Sequence, residues 1–551
     1  MPSPTMFDRF PTELFFETFR YLTTYDILHA FKDLNQHINM VLRNYYKYDL
    51  NFQSWSKGKF DFVRESISPE QIQSLVLSDE DDTVRQIHLF FRLLYIRRFV
   101  NLKSLTLIAI DEQDWKKIQR KLHFLSNLTS LSLRLSQHLS SISVELPLKS
   151  LVLNTCTTNE LHQWLVHTPM LINLEVELIV DVSDNDFRLN PIGTNIRRLK
   201  IKLPEKSHIT FEDLEALFVC MPKVKFLTMT VAKGFRLFHG DRWEDLLRRY
   251  LPHLEDFRFK IHPALDNVNP TQLISAFQTP FWLHEHQWIV HCDFHGVHNR
   301  HYRNVNNIHF YTLPYPHDQF YLTTSTKSLT NHSKDAFQTV KELYLSIDSD
   351  MSTHLLEHFY FPDLDSLIVC NLHELPSLID LINLSRIKHL TIEQNNPIQP
   401  QEFFLHILVY TINLRSLKIS WHSLMEITRE FTNQNICSIL EKQIKHLHVF
   451  DCATKISPDK GKQVECLIKL FSKNLEKLNV HVPSLDNIAM LLNEMLKLNS
   501  MAAEYESKSN KMDSDRLLSW LTENVPKLKK FTHQIRYTSK SRVQLLFWMS
   551  L

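Results

Sequence analysis

The chain has 551 residues, 43% of them hydrophobic and 22% charged, the balance of an ordinary globular chain. Lys and Arg total 62 against 61 Asp and Glu, so no global field steers it onto nucleic acid or an anionic membrane. Glycine is scarce, at 6 residues, where average usage of about 7% would give roughly 39. Gly58, Gly193, Gly234, Gly240, Gly296 and Gly461 never take the spacing of a Walker A loop, and no GxGxxG or GxSxG occurs. Backbone that wraps phosphate closely needs glycine, which argues against P-loop and Rossmann readings. Seven dispersed cysteines with no CxxC predict reduced thiols and an intracellular protein of the cytoplasm, the nucleus or both. The opening MPSPTMFDRF lacks the apolar core of a signal peptide. No stretch approaches the ~20 apolar residues of a membrane span, so no membrane association is expected.

Residues 6–50 read as a small helical module. Pro11 and Glu13 suit the first turn of a helix, where a missing N–H and a negative charge are both tolerated. Leu14, Phe15, Phe19 and Leu22 follow at helical spacing. Thr23 to Asp26 can cap a second helix, whose apolar face is Ile27, Leu28, Phe31 and Leu34. A third segment carries Ile38, Val41 and Leu42. Three helices in so few residues make a core too small to stand well alone. Residues 51–70 read as a linker or capping segment.

From residue 71 the element L-x-x-L-x-L recurs, as in Leu102-Lys-Ser-Leu-Thr-Leu107. Copies lie at 72–77, 128–133, 148–153, 171–176, 196–201, 224–229 and 254–259, then at 340–345, 364–369, 387–392, 414–419, 444–449 and 475–480. A weaker copy is expected at 305–310, and a degenerate one begins at Leu528. Pro169, Pro222, Pro252, Pro362 and Pro526 sit two residues before an anchor, where proline ends a helix and feeds a strand. Asn101, Asn127, Asn195, Asn413 and Asn474 sit immediately before one, where a turn residue belongs. Cys156, Asn395 and Cys452 fill a ladder position behind the strand. Helix-like stretches such as 160–166 and 485–492 lie between strands. The predicted fold is α/β: a strand and a helix per unit, stacked as a solenoid with a parallel sheet on the concave side and helices on the convex side. The repeats are expected over 71–262 and again over 336–551, the latter with a C-terminal cap. Between them, 263–335 is aromatic and His-rich and reads as a divergent pair of repeats with an inserted loop near 296–307.

Chemistry-bearing clusters are few. His284, His286, His291, His295, His298 and His301 crowd together with Cys292 and Asp293, but match no zinc-ligand spacing, so neither metal nor cofactor is expected. The Asp79–Asp82 run reads as a solvated loop, and Cys156 and Cys452 as inert core thiols. Scattered basic pairs form no stripe for nucleic acid. Alternation along each strand sends the residue between the second and third anchors to the concave face. That row includes Glu175, Lys200, Arg258, His309, Tyr344, Lys418 and His448. It mixes charge, imidazole and aromatic groups, which suits contact with a protein and forms no catalytic set.

The run FPTELFFETFRYLTTYDILHAFKDLNQHI resembles an F-box. Phe10, Pro11, Glu13 and Leu14 match the family's opening, and Phe15, Phe19, Tyr21, Leu22, Asp26 and Leu28 match its later positions. Phe31 and Leu34 fall at further apolar places, while His37-Ile38 stands where the family often has Trp. Behind it, the array resembles leucine-rich repeats. The combination implies a non-enzymatic substrate receptor of a Skp–cullin–F-box ubiquitin ligase. Phe10, Pro11, Leu14, Phe15, Phe19, Leu22, Leu28 and Phe31 would meet a Skp-type adaptor, and through it cullin, while the solenoid holds a protein target. These apolar faces are expected to divide between the adaptor and the first repeats. The alternative is a leucine-rich-repeat scaffold whose N-terminal helices only cap the solenoid. A third reading places a hydrolase site in the aromatic insertion.

Overall fold

The computed structural model describes residues 10–135, 142, 144–180, 195–205, 207–232, 237, 239–262, 270–296, 306–323, 326–328, 335–346, 359–370, 382–393, 401–450, 460–506, 514–526, 528, 530–539 and 542–550. Strand and helix alternate along it in a solenoid-like α/β array with two largely parallel sheets.

The module opens with α1 (Thr12–Phe19), α2 (Thr24–Phe31) and α3 (Gln36–Asn44). Thr23 caps α2 by accepting from Asp26 N at 3.2 Å, and Asn35 caps α3 by accepting from Ile38 N at 2.8 Å. Each cap satisfies a backbone donor that the first helical turn leaves unpaired. The module is fastened to the array behind it. Gln71 Nε2 donates to the carbonyls of Leu42, Arg43 and Tyr45 at 2.7, 3.0 and 2.9 Å, closing the end of α3. Thr24 Oγ1 donates to Asp49 O at 2.8 Å.

The first sheet contains β1 (Tyr48–Asn51), β2 (Ile72–Ser78), β3 (Ser104–Ile110), β4 (Ser130–Leu135), β5 (Ser150–Thr157) and β6 (Asn173–Ile179). It continues with β7 (Arg198–Leu203), β8 (Phe226–Val231), β9 (Asp256–Ile261), β10 (Val290–Gly296) and β11 (Asn306–Thr312). The second contains β12 (Gln319–Thr323), β14 (Glu342–Ser346), β15 (Ser366–Cys370), β16 (His389–Glu393), β17 (Ser416–Ser420) and β18 (His446–Phe450), with β13 (Thr326–Ser328) returning to the first. It ends in β19 (Lys477–His481), β20 (Ser500–Glu506), β21 (Lys530–Tyr537) and β22 (Arg542–Ser550).

Repeat periodicity becomes register. Leu75, Leu105, Leu131, Leu151, Leu174, Leu199, Leu227 and Phe257 pair in one line across β2 to β9. Phe320, Leu343, Leu367, Leu390, Leu417, Leu447, Leu478 and Met501 do the same in the second sheet. All of these are buried, and each such side chain contributes about 1.5–3 kcal/mol by leaving water. Helix residues Trp115, Leu161, Trp164 and Leu214 share their core. The helices therefore lie on the anchor side, and the residues between anchors remain half-exposed on the other, open face.

The asparagines before the anchors do more than turn the chain. Asn101, Asn127 and Asn413 each donate at 2.7 Å to a carbonyl of the preceding unit (Glu70, Val100 and Ser385), and Asn474 donates to Glu441 O at 3.1 Å. A side-chain amide there clamps one unit to the next.

Two segments depart from the predicted repeat. The expected copy at 305–310 falls largely within β11, which runs antiparallel to both β9 and β10. A hairpin, not a pair of repeats, therefore follows β9 in the first sheet, with β13 antiparallel to β10 at its edge. The copy expected from Leu528 is likewise a hairpin, with β21 and β22 antiparallel. In both places aromatic and β-branched residues satisfy a strand of either direction, and the alternating pattern does not encode direction.

The last strands of the array contact its first units. Trp548 Nε1 on β22 donates to Trp55 O at 2.8 Å, and its ring meets Phe60 at 5.0 Å between centroids. Phe60 lies on α4 (Lys57–Ser66). Gly58 permits this approach, since a Cβ there would stand 3.0 Å from Ser550 Oγ. Ala502, Leu546 and Trp548 consequently join the core of the first sheet, while Ala503, Leu545 and Phe547 on the alternate face join that of the second.

Candidate partner-binding surfaces

The eight apolar residues assigned to an adaptor divide by face. Phe10, Pro11, Leu14 and Leu22 are exposed, Leu14 at 52%. Phe15, Phe19 and Leu28 are buried in the core that runs into the first sheet, and Phe31 packs against it partly buried. Phe19 stacks edge-on to Tyr45 at 5.3 Å and to Phe31 at 5.4 Å. A docking role for Phe15, Phe19 and Leu28 is corrected on this ground, because their side chains are spent on internal packing. Leu34 and Met40 extend the module's exposed apolar residues.

The open-face row is largely in register. Thr106, Ser132, Val152, Glu175, Lys200, Thr228 and Arg258 pair in sequence across β3 to β9. Tyr344, Ile368, Thr391, Lys418, His448 and Asn479 do so across β14 to β19. Its charges answer one another: Lys200 pairs with Glu175 at 2.9 Å, Arg258 with Asp256 at 2.9 Å and Lys418 with Glu393 at 3.4 Å. Burial holds the His448 imidazole below its ordinary value, with Lys418 adding to the effect. His309 does not join the row. Strand reversal places it beside His262, ring to ring at 3.9 Å, and it is buried. Sequence reasoning missed Tyr321, which begins the second row by stacking on Tyr344 at 4.3 Å. The alternation Phe320-Tyr321-Leu322 was the available signal.

Where the sheets meet, Lys260 is only 4% exposed. Its ammonium lies 5.4 Å from the Tyr315 ring and 5.8 Å from the Tyr321 ring. Burial pulls its pKa down to about 8, opposed by Asp318. Tyr311 nearby donates its hydroxyl to Asp293, and burial pushes that phenol well up.

The Asp79–Asp82 run is not a plain solvated loop. Asp82 pairs with Lys477 and Asp81 with Arg536, both across the chain ends. Asp79 Oδ1 accepts from Ile87 N at 2.8 Å at the start of α5 (Gln86–Leu93), and burial pushes its carboxyl up to about 7. These residues line a cavity of about 1030 Å³ with His533 and Arg536.

Of the histidine group, His286 stacks on Trp288 at 4.0 Å and His291 is buried against Tyr311; the His295 side chain, His298 and His301 lie outside the described residues. Among the described residues no three His, Cys, Asp or Glu side chains converge as a metal site. Cys156 is a buried free thiol whose pKa burial drives up, while Asn395 and Cys452 lie outside the described residues. Among the described residues no helix is long and apolar enough to cross a membrane.

No family model matches the chain, and no curated protein matches it. Among solved structures, it is similar to a crystal structure of the Rad7 and Elc1 complex in yeast. Identity is 15% over 85% of this chain and 87% of that one, with a TM-score of 0.25. The functional reading therefore rests on the residues of this chain.

Proposed function

We propose that the chain is a non-catalytic substrate-recognition adaptor of a Skp–cullin–F-box ubiquitin ligase, an F-box module followed by leucine-rich repeats. The observation that carries this reading is the set of exposed apolar side chains of the N-terminal module: Leu14 on α1, with Phe10, Leu22 and Leu34 in the turns that flank its helices. A module that only capped the array would turn such residues inward. Uncovered apolar residues on a small helical unit suit a partner's apolar groove. The open face of the sheets, with its mixed tyrosine, histidine and paired charges, suits a protein target. The mechanism is proximity: the array raises the effective concentration of a target lysine near a charged conjugating enzyme, and no side chain here performs the transfer.

The test is retention of the full chain on a purified Skp-type adaptor, beside a Leu14→Ala/Leu22→Ala variant. Both side chains are exposed, so the variant keeps its fold, checked by circular dichroism. Capture of the native chain with at least a roughly tenfold loss in the variant is expected, since apolar anchors dominate such interfaces. A folded native chain that is not retained overturns the reading.

A second reading has its own support. Phe15, Phe19, Ile27 and Leu28 are already buried, and Gln71 ties α3 to the array. This is what a solenoid cap requires, and the scaffold alternative becomes the better account if adaptor binding is absent.

A further inference from the structure

We propose that a groove on the helix side of the first units is a docking site for an acidic peptide segment carrying an apolar anchor. The groove lies between α5 and α6 (Glu112–Gln119) and encloses about 490 Å³, within the size range of pockets that seat a ligand. It is separate from the exposed N-terminal residues and from the open-face row, and stands whether or not the adaptor reading holds.

The floor is aliphatic. Ile87, Ile96 and Ile118 line it and are themselves buried. Phe91 and Phe124 form half-buried walls, and Tyr95 stands at the lip, 78% exposed. Water in such a cleft gains little from its lining, so an apolar side chain displaces it favourably.

The rim decides which apolar ligand enters. Arg92 and Arg97 stand on one edge, Lys117 and Lys121 on the other. The one carboxylate lining the groove is Asp114, which accepts from Lys117 Nζ at 2.9 Å and pairs with His88 Nδ1 at 3.2 Å. Burial opposes its charge, yet these two bonds hold it below the ordinary carboxylate value, so it stays ionised and occupied. Arg92, Arg97 and Lys121 form no ion pair among the described residues. The Arg97 guanidinium carbon stands 4.0 Å from the centroid of the Phe124 ring, a cation–π contact that holds this cation at the rim, where a guanidinium can take a carboxylate. Cations flanking a recessed apolar floor on both edges complement carboxylates flanking a buried anchor. Nucleic acid would meet the same cations, but beyond the thymine methyl it offers no aliphatic side chain to fill the isoleucine floor.

The experiment is fluorescence anisotropy with the full chain. The probe is a labelled octapeptide with a central Leu-Phe pair between three glutamates on each side. Its companions are a lysine-flanked twin, an all-glutamate octapeptide and a twelve-nucleotide oligo-dT. The anchored acidic peptide is expected to bind saturably, at least roughly tenfold tighter than either peptide control, and to weaken as salt rises. Phe91→Ala and, separately, Arg92→Glu/Lys121→Glu are each expected to lose at least about tenfold. The second variant touches only exposed side chains and decides the matter if the first fails to fold. Leu14→Ala/Leu22→Ala should bind the probe unchanged. Absence of saturable binding, equal binding of any control, tighter binding of the oligonucleotide, or indifference to the charge reversal overturns the proposal.

Discussion

Two places join distant parts of this chain, and they are built from different materials. Between the sheets, Tyr311, Tyr315, Phe320, Phe337, Phe359 and Phe361 form one aromatic cluster, with neighbouring rings about 5–6 Å apart and a buried lysine at its edge. Where the last strands meet the first units, Trp548 is the largest buried side chain, with Ala502 and Leu546 beside it in the first core, and polar contacts surround it: Asp82 with Lys477, Asp81 with Arg536, and Thr532 Oγ1 donating to Val84 O at 2.9 Å. The first join is a continuation of the core. The second is a surface-to-surface contact with one deep anchor, organised as an interface between proteins is organised. The chain has thus solved the same geometric problem once as folding and once as docking.

The sharpest way to break this contrast is to remove the anchor. Trp548→Ala deletes a fully buried ring and its hydrogen bond to Trp55, and should cost about 3–5 kcal/mol in urea unfolding. Phe337→Ala, equally buried, should cost a similar amount. The two losses should differ in kind by hydrogen exchange. Without Trp548, protection falls in β21, β22 and residues 79–85 while β14 to β18 keep theirs. Without Phe337, both sheets lose protection together. The same pattern in both variants would show the two joins to be equivalent.

Lys260 sharpens the comparison from the other side. Its folded pKa of about 8 lies below the ordinary lysine value of 10.5, so the unfolded chain holds this proton more tightly. The penalty is fully present below pH 8 and is relieved as pH rises from about 8 towards 10.5. Lys260→Met keeps the length of the side chain and removes the charge. It should stabilise by about 1 kcal/mol at pH 7, after the loss of the contacts to Tyr315 and Tyr321 is set against it. The advantage should shrink as pH rises to 10, measured by thermal unfolding across the series. A destabilised variant at pH 7 would mean that the aromatic join depends on its cation.

The smallest effect belongs to the ion pairs at the ends. A double-mutant cycle on Asp82→Asn and Lys477→Gln should give a coupling of about 0.5–1 kcal/mol that diminishes in high salt. The corresponding cycle on Tyr311→Phe and Phe337→Leu should give a coupling indifferent to salt.

Much of this architecture was legible because a repeat writes the same instruction many times. The anchors Leu105, Leu131 and Leu151 recur in the sequence and pair in one buried line, and the residues between them line up in register from Thr106 to Arg258 and again from Tyr344 to Asn479. What escaped depends on contacts between distant units rather than on the repeat. Nothing in Val305 to Phe310 marks strand direction, so His309 was placed in the wrong line. The Asp79–Asp82 run looks solvated because its partners, Lys477 and Arg536, are some four hundred residues away. Phe15, Phe19 and Leu28 could not be separated from Leu14 and Leu22 by hydrophobicity. Only the packed helices show which side of each turn already has a neighbour. The groove beside α5 was hidden for the same reason, since its cations come from two units and read in sequence as scattered pairs.

The contact between Trp548 and Trp55 also changes what kind of mechanical object the array is. A stack of units joined only to its neighbours behaves as a spring: small rotations at each interface add up, and the two tips drift apart under load. A clasp between the tips removes that soft mode. The opening across the sheets is then held by the clasp as well as by the stiffness of each clamp such as Asn101 to Glu70. Anything gripped on the open face would be measured against a fixed gauge, and widening the gauge would require unseating Trp548 and parting Asp82 from Lys477 and Asp81 from Arg536.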